Sequence, residues 1–418
     1  MTNIAHQLDF IRSQFPSLAR IINGMPAVYL DGPAGTQVPQ RVVDCIANCM
    51  LHHNANRSGR FATSREVDEQ MSHSHRVFAD FLGAASPDSI AFGPNMTSLT
   101  LQFSRALARE WKPGDRILVS SLDHDANFTP WMLAARDAGV ELKAIGVRSS
   151  DATLDMDSLN ELLTERTRLV AVTAASNAVG SLTPIREIAN RVHAVGAELF
   201  VDAVHLAPHR SIDVTALDCD YLVCSAYKFF GPHIGVLYGR TERMQELAAY
   251  KLRPAPDSLP GKWMTGTQNH ACIAGATAAV DYIASLSPIA DNGSNRRLRI
   301  LDAMKSISEY ETQLVEQLIR GLAGIPGIRT FGITDRHRMS ERAPTVSFQV
   351  DGRKSVEVAQ HLGDNGVFAW HGNYYALPLT LALGTEPDGM VRLGCMHYNT
   401  PEEIDRTLDL IKTYVSVA

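Results

Sequence analysis

Lys228 stands between two apolar runs in CDYLVCSAYKFFGPHIGVLYG, residues 219–239. YLVCSA before it and IGVLYG after it read as strands, and an ammonium held between buried strands is costly unless something uses it. A lysine amine becomes a nucleophile toward carbonyls when burial or a neighbouring cation lowers its pKa, and it then forms imines. Other polar clusters end apolar runs in the same way: Asn95 to Ser98, Asp123 to Asp125, Ser176-Asn177 and Asp202 to His205. Asp202, in ELFVDAVH, could hold a ring nitrogen protonated or merely cap the next helix. His124, in SSLDHDANF, could stack on a planar ligand or sit satisfied in a turn. Asn95, Met96 and Thr97 open a helix whose amides could take a phosphate, although a plain N-cap explains Asn95 or Thr97 equally well. Taken singly, each residue is explained better by its structural role. Taken in order, they supply what pyridoxal phosphate needs: an imine lysine, an acid for the pyridine nitrogen, a planar group over the ring and donors for the phosphate.

Competing chemistries lack their partners. SAYK satisfies S-x-x-K, but a strand-like run precedes it, Phe-Phe-Gly-Pro follows, and neither S-D-N nor K-T-G occurs. There is no G-x-x-x-x-G-K-[ST] and no G-x-G-x-x-G, which removes most of the case for nucleoside-triphosphate and dinucleotide chemistry. HSH at 73–75 and HLAPH at 205–209 offer imidazoles without a matched set of four ligands, so no metal is expected. Net charge is −6, with 39 Lys+Arg against 45 Asp+Glu and no basic block, which argues against a nucleic-acid partner. No run of apolar residues is long enough to span a membrane. The six cysteines are scattered without a C-x-x-C, the pattern of unpaired thiols in a reducing cytoplasm.

The elements that must position these residues follow from the hydrophobic pattern. From about 88 to 240, short runs apolar throughout (DSIAF, GDRILVSS, VELKAIGV, RLVAVTAAS, AELFVDAV, DYLVCSA, IGVLYG) alternate with amphipathic stretches. That predicts an α/β architecture with a largely parallel sheet between helices, whose functional groups gather at the carboxyl ends of the strands. After 285 the texture changes to a long helical stretch over 296–323 and shorter strands, IRTFG, TVSFQV and MVRLG, mixed with helices. The expected organisation is a large cofactor-binding domain over 23–290 and a smaller α+β domain over 291–418. An N-terminal helix within 1–22 is expected to pack on the smaller one.

From about 27 to 280 the chain resembles the class V aminotransferase group of fold-type I pyridoxal-phosphate enzymes, nearest its cysteine desulfurase branch, and a tail segment extends the likeness. YLDGPAGTQVP is similar to the first strand and turn. DHDANFTPW is similar to E-H-x-A-N-x-x-P-W, which would make His124 the stacking histidine. ASNAVGSLTPI resembles S-N-x-x-G-x-x-x-P-[IL] and would place Asn177 near the cofactor's phenolic oxygen. LFVDAVHLAPH and CSAYKFFGPHIGVLY resemble D-x-x-Q and S-x-H-K-x-x-G-P, giving Asp202 the pyridine nitrogen, Ser225 the phosphate and Lys228 the Schiff base. TGTQN, 265–269, resembles a G-T-x-N turn whose Thr267 would reach a phosphate across a dimer interface. VRLGCMHYNTPEEID resembles the segment whose arginine, here Arg392, binds a substrate carboxylate.

Three departures stand out. His205 takes the place of the family's Gln, and Tyr227 that of the histidine before the lysine, changing one phosphate donor from imidazole to phenol. In HGNYYALPL, similar to H-H-C-A-x-P-L, Tyr375 stands where the desulfurase cysteine would be. The resemblance implies a fold-type I transferase: a large domain with a mostly parallel seven-stranded sheet flanked by helices, plus a smaller α+β domain. It also implies a homodimer with shared active sites and a small amino-acid substrate, with no sulfur acceptor identified. Chemistry at Cα of the cysteine desulfurase or C–S lyase kind is favoured. Transamination and epimerisation on the same scaffold stay open, as does a non-catalytic cofactor-binding regulator, against which retention of Arg392 argues.

Overall fold

A computed structural model describes residues 4–416; residues 1–3 and 417–418, which fall inside the outer bounds given above, lie outside the described residues. Seven runs form the main sheet: β1 (Ile90–Gly93), β2 (Arg116–Ser120), β3 (Glu141–Ile145), β4 (Thr167–Thr173), β5 (Glu198–Asp202), β6 (Tyr221–Ser225) and β7 (Gly235–Gly239). They lie in the order β1-β7-β6-β5-β4-β2-β3. Only β7 runs against its neighbours; the β6–β5, β5–β4, β4–β2 and β2–β3 pairs are parallel. The pattern that predicts these strands also explains their burial. Leu199, Phe200 and Val201 of β5 and Leu222, Val223 and Cys224 of β6 are all fully buried, because helices cover both faces. Each large apolar side chain so buried contributes about 1.5–3 kcal/mol. The edge strand β3 is the exception, exposing Glu141 and Lys143, charges that discourage pairing with another chain.

A four-stranded antiparallel sheet gathers β8 (Ile328–Phe331), β9 (Thr345–Val350), β10 (Trp370–Gly372) and β11 (Met390–Gly394) in the order β8-β9-β11-β10. The helices Arg296–Ala323 and Ser355–Asp364 pack on it, and Pro401–Ser416 packs against those two helices. The stretch 28–36 connects the two sheets. Val28 and Tyr29 pair with Val367 and Phe368, Asp31 bridges to Gly394, and Thr36 donates its backbone N–H to the Tyr227 carbonyl at 3.1 Å.

The N-terminal stretch differs from a single helix. An α-helix covers Leu8–Ser13, and a separate 3-10 turn covers Pro16–Ala19. Pro16 forces the residue before it out of the helical region: Phe15 has φ −110 and ψ 95. Arg12 still reaches the last helix, 2.8 Å from Glu403.

Candidate active site

The carboxyl ends of the parallel strands, the 28–36 connector and the β10 side of the smaller sheet enclose a cavity of about 810 Å³. Every residue given a catalytic, cofactor or substrate role in the sequence lines it except Thr267, while Ser98, Asp123, Asp125 and Ser176 of the polar clusters do not. Thr267 is exposed on the turn before the helix His270–Ser285 and is not brought to the cavity of its own chain.

Lys228 follows β6 in a single 3-10 turn, placing its amine at the strand end. Nζ donates to the backbone carbonyls of Pro33 and, at 3.0 Å, Ala34. Burial, and then the Arg392 guanidinium, lower its pKa to about 7. Asp202 ends β5 with one carboxylate oxygen accepting from the Val204 N–H at 2.8 Å. Burial pushes that carboxyl up to about 6, and among the described residues no basic side chain stands within ion-pair distance of it. His124 caps the turn Asp125–Asn127, its Nδ1 accepting from the Ala126 N–H at 3.0 Å. Burial, Lys228 and Arg392 hold its pKa down to about 4, so the ring is neutral at pH 7. His205 lies 3.0 Å from the Thr345 hydroxyl, and burial pushes its pKa well below the usual value.

At another end lies helix α1 (Met96–Ala108). Asn95 caps it by accepting from the Ser98 N–H at 2.8 Å, and the Met96 N–H donates to the Ser225 hydroxyl at 3.0 Å. Thr97 is exposed in the first turn, where helical N–H groups lack intrahelical partners. Arg392 comes from β11 and is 4 % exposed. It donates to the Asn177 carbonyl at 2.8 Å and lies 4.2 Å from the centre of the Tyr374 ring. No carboxylate among the described residues pairs with it. Tyr375, 71 % exposed, stacks on His124 with ring centres 5.4 Å apart.

The sequence matches the family described as Aminotransferase class-V over residues 28–407. The chain belongs to the class V aminotransferase family. A cysteine desulfurase of Enterobacter sp. (strain 638) is 32% identical over 424 residues, covering 97% of each chain. One from Serratia proteamaculans (strain 568) is 30% identical over 414 residues, covering 96% of each. The apo structure of a cysteine desulfurase from Thermococcus onnurineus NA1 superposes with a TM-score of 0.87, at 25% identity and 98% coverage of both chains. An Escherichia coli cysteine desulfurase in its S-sulfonic acid form gives 0.83, at 25% identity and 98% coverage of both. As a class V chain this is a pyridoxal-phosphate-dependent enzyme of fold type I, of the cysteine desulfurase-like kind.

The class V cofactor fits the residues present. Among the described residues neither Asp202 nor Arg392, both buried, stands within ion-pair distance of an opposite charge. Asn177 donates through Nδ2 to the Tyr374 carbonyl at 2.9 Å, which leaves its Oδ1 buried and without a partner. Such groups are costly in isolation and call for a polar ligand. The class V departures are also concrete. None of the six cysteines lines the cavity, and Cys395 lies fully buried with its thiol pushed up by burial.

Sequence reasoning missed Asp31, Tyr374, Trp370 and His233. Asp31 is half-buried with one carboxylate oxygen buried and unpaired, and desolvation raises its pKa to about 6 against the pull of Arg392 and Lys228. Its one local signal was an acid directly after the buried YL of YLDGP. Tyr374 and Trp370 carry no local signal, since their partners Asn177 and Arg392 come from other segments, and His233 shows its place only in the stack on Tyr227.

Proposed function

We propose that this chain is a C–S lyase acting on a sulfur-bearing α-amino acid, releasing the thiol to solution instead of passing sulfur to a cysteine of its own. The observation that carries the reading is a cavity that joins an unpaired Arg392, Lys228 and Asp202 yet contains no thiol. Net, the amino acid and water give a 2-keto acid, ammonium and a thiol. The C–S bond breaks with its electron pair on sulfur, so no oxidant or sulfur acceptor is required.

Pyridoxal phosphate, when bound, supplies the carbonyl carbon that joins the amine and the ring that withdraws electrons from Cα. Lys228 would hold it through its amine, Asp202 would hold the ring nitrogen's proton, and His124, neutral at pH 7, would lie against the ring. Asn177 and His205 serve the phenolic oxygen. The first turn of α1 at Asn95, Met96 and Thr97, together with Ser225 and Tyr227, serves the phosphate. Arg392 grips the substrate carboxylate as a two-pronged fork, with Tyr375 beside it at the mouth. Lys228 would be the base for the Cα proton, and an amine pKa lowered to about 7 suits that role. The exposed position of Thr267 supports a homodimer in which it completes the partner's site. Six unpaired thiols are in keeping with a cytoplasmic setting.

The product decides the reaction. With L-cysteine and S-substituted cysteines, keto acid and thiol are expected in equal amounts, and Lys228→Ala is expected to abolish both. Alanine in place of keto acid would show sulfur transfer to an acceptor and overturn the lyase reading. Racemised or transaminated substrate would equally move the assignment.

A further inference from the structure

At the phosphate end of the cavity stands a side chain that no role above uses. His233 follows the turn after Lys228 and leads into β7. Its imidazole lies flat on the Tyr227 ring, with centres 4.9 Å apart and planes 12° from parallel. Both rings line the cavity together with Ser225, Met96 and Thr97. Gly235 draws this end together: a Cβ there would stand 2.4 Å from the Asn95 backbone carbon, so only glycine lets β7 run against the start of α1.

The donors already present are partly spent. The Met96 N–H is given to the Ser225 hydroxyl, and Asn95 holds the helix start by accepting from the Ser98 N–H. The cations of the cavity are also allotted, Lys228 to the imine and Arg392 to a carboxylate. Of the cavity's other imidazoles, His124 caps its own turn, His205 lies against the Thr345 hydroxyl, and His371 belongs to β10 in the smaller sheet. A phosphate dianion is best held by charge-assisted hydrogen bonds, and the His233 imidazole stands where it can add one to those of Thr97, Ser225 and Tyr227.

We propose that His233, oriented by its stack on Tyr227, donates a hydrogen bond to the cofactor phosphate. The stacked pair then does the work of the single imidazole that the family resemblance places directly before the lysine. This rests on the pyridoxal-phosphate reading of the cavity. The arrangement also explains why Tyr227 is tolerated there: it supplies the flat surface that fixes the imidazole plane, and its hydroxyl remains a second donor.

Pyridoxal, which lacks the phosphate, separates this role from a structural one. Apoprotein is titrated with pyridoxal phosphate and, separately, with pyridoxal, following the imine absorbance. His233→Ala is expected to weaken pyridoxal phosphate about tenfold, the loss of one hydrogen bond to a charged group, and to leave pyridoxal unchanged. Adding Tyr227→His to His233→Ala is expected to restore most of the loss. Unchanged affinity for pyridoxal phosphate, or equal weakening of both compounds, would overturn the proposal. Wild-type protein that forms no imine with either compound would overturn the cofactor reading itself, and His233's role with it.

Discussion

An amine that must attack a carbonyl at neutral pH has to be partly unprotonated there. Lys228 reaches a pKa of about 7 from burial first and the Arg392 guanidinium second. Below that value the folded protein holds an ammonium, and above it a free amine. The rate of imine formation by apoprotein should therefore rise with a midpoint near pH 7, more than three units below an ordinary lysine. Arg392→Leu removes the cation while keeping the bulk, so the midpoint should move up. An unmoved midpoint would assign the whole depression to burial. Lys228, Asp202 and His124 are legible in the sequence because each is a chemically active side chain at the end of an apolar run, where it interrupts a regular pattern. Asp31 is not legible in this way. Its raised pKa and its unpaired oxygen arise from strands far along the chain, and nothing beside it foreshadows Arg392 or Lys228.

Among the elements, the seven strands could be read because burial on both faces writes an unbroken apolar run, and the helix Arg296–Ala323 because its periodicity is long. The segment after β10 could not be read, since its shape comes from tertiary contacts. Tyr374 and Tyr375 both adopt left-handed backbone, φ 56 and 58, which neither residue favours. They are held there by the Asp125 N–H donating to the Tyr375 carbonyl at 2.7 Å and the Asn177 amide donating to that of Tyr374. Strain of this sort tends to collect at sites where a side chain must be presented in one way, here with the Tyr375 ring on His124. Replacing Tyr375 by Ala or by Gly removes the ring equally, but only Gly relieves the backbone. The Gly variant should therefore be more stable than the Ala variant by about 1 kcal/mol in denaturant unfolding. Equal stabilities would mean that the loop shifts out of the left-handed region once the ring is gone.

At the scale of the whole molecule, the proposed phosphate role of Thr267 would make a demand on assembly. Thr267 sits exposed on its turn, outside the cavity that holds Lys228, Asp202, His124 and Arg392. If two copies pair so that each Thr267 enters the other's site, the active unit is the dimer, and defects on different chains can compensate. Thr267→Ala keeps Lys228 but gives its partner a poor phosphate site, whereas Lys228→Ala keeps Thr267 but forms no imine. In a mixed dimer, the lysine of the first variant meets the threonine of the second, so one of the two sites is whole. Mixing the two variants under conditions of subunit exchange should thus tighten pyridoxal-phosphate binding above that of Thr267→Ala alone. The gain should fall away when exchange is blocked by cross-linking each homodimer beforehand. Affinity that stays at the Thr267→Ala level after mixing would place the threonine outside the partner's site and leave each chain to bind the phosphate by itself.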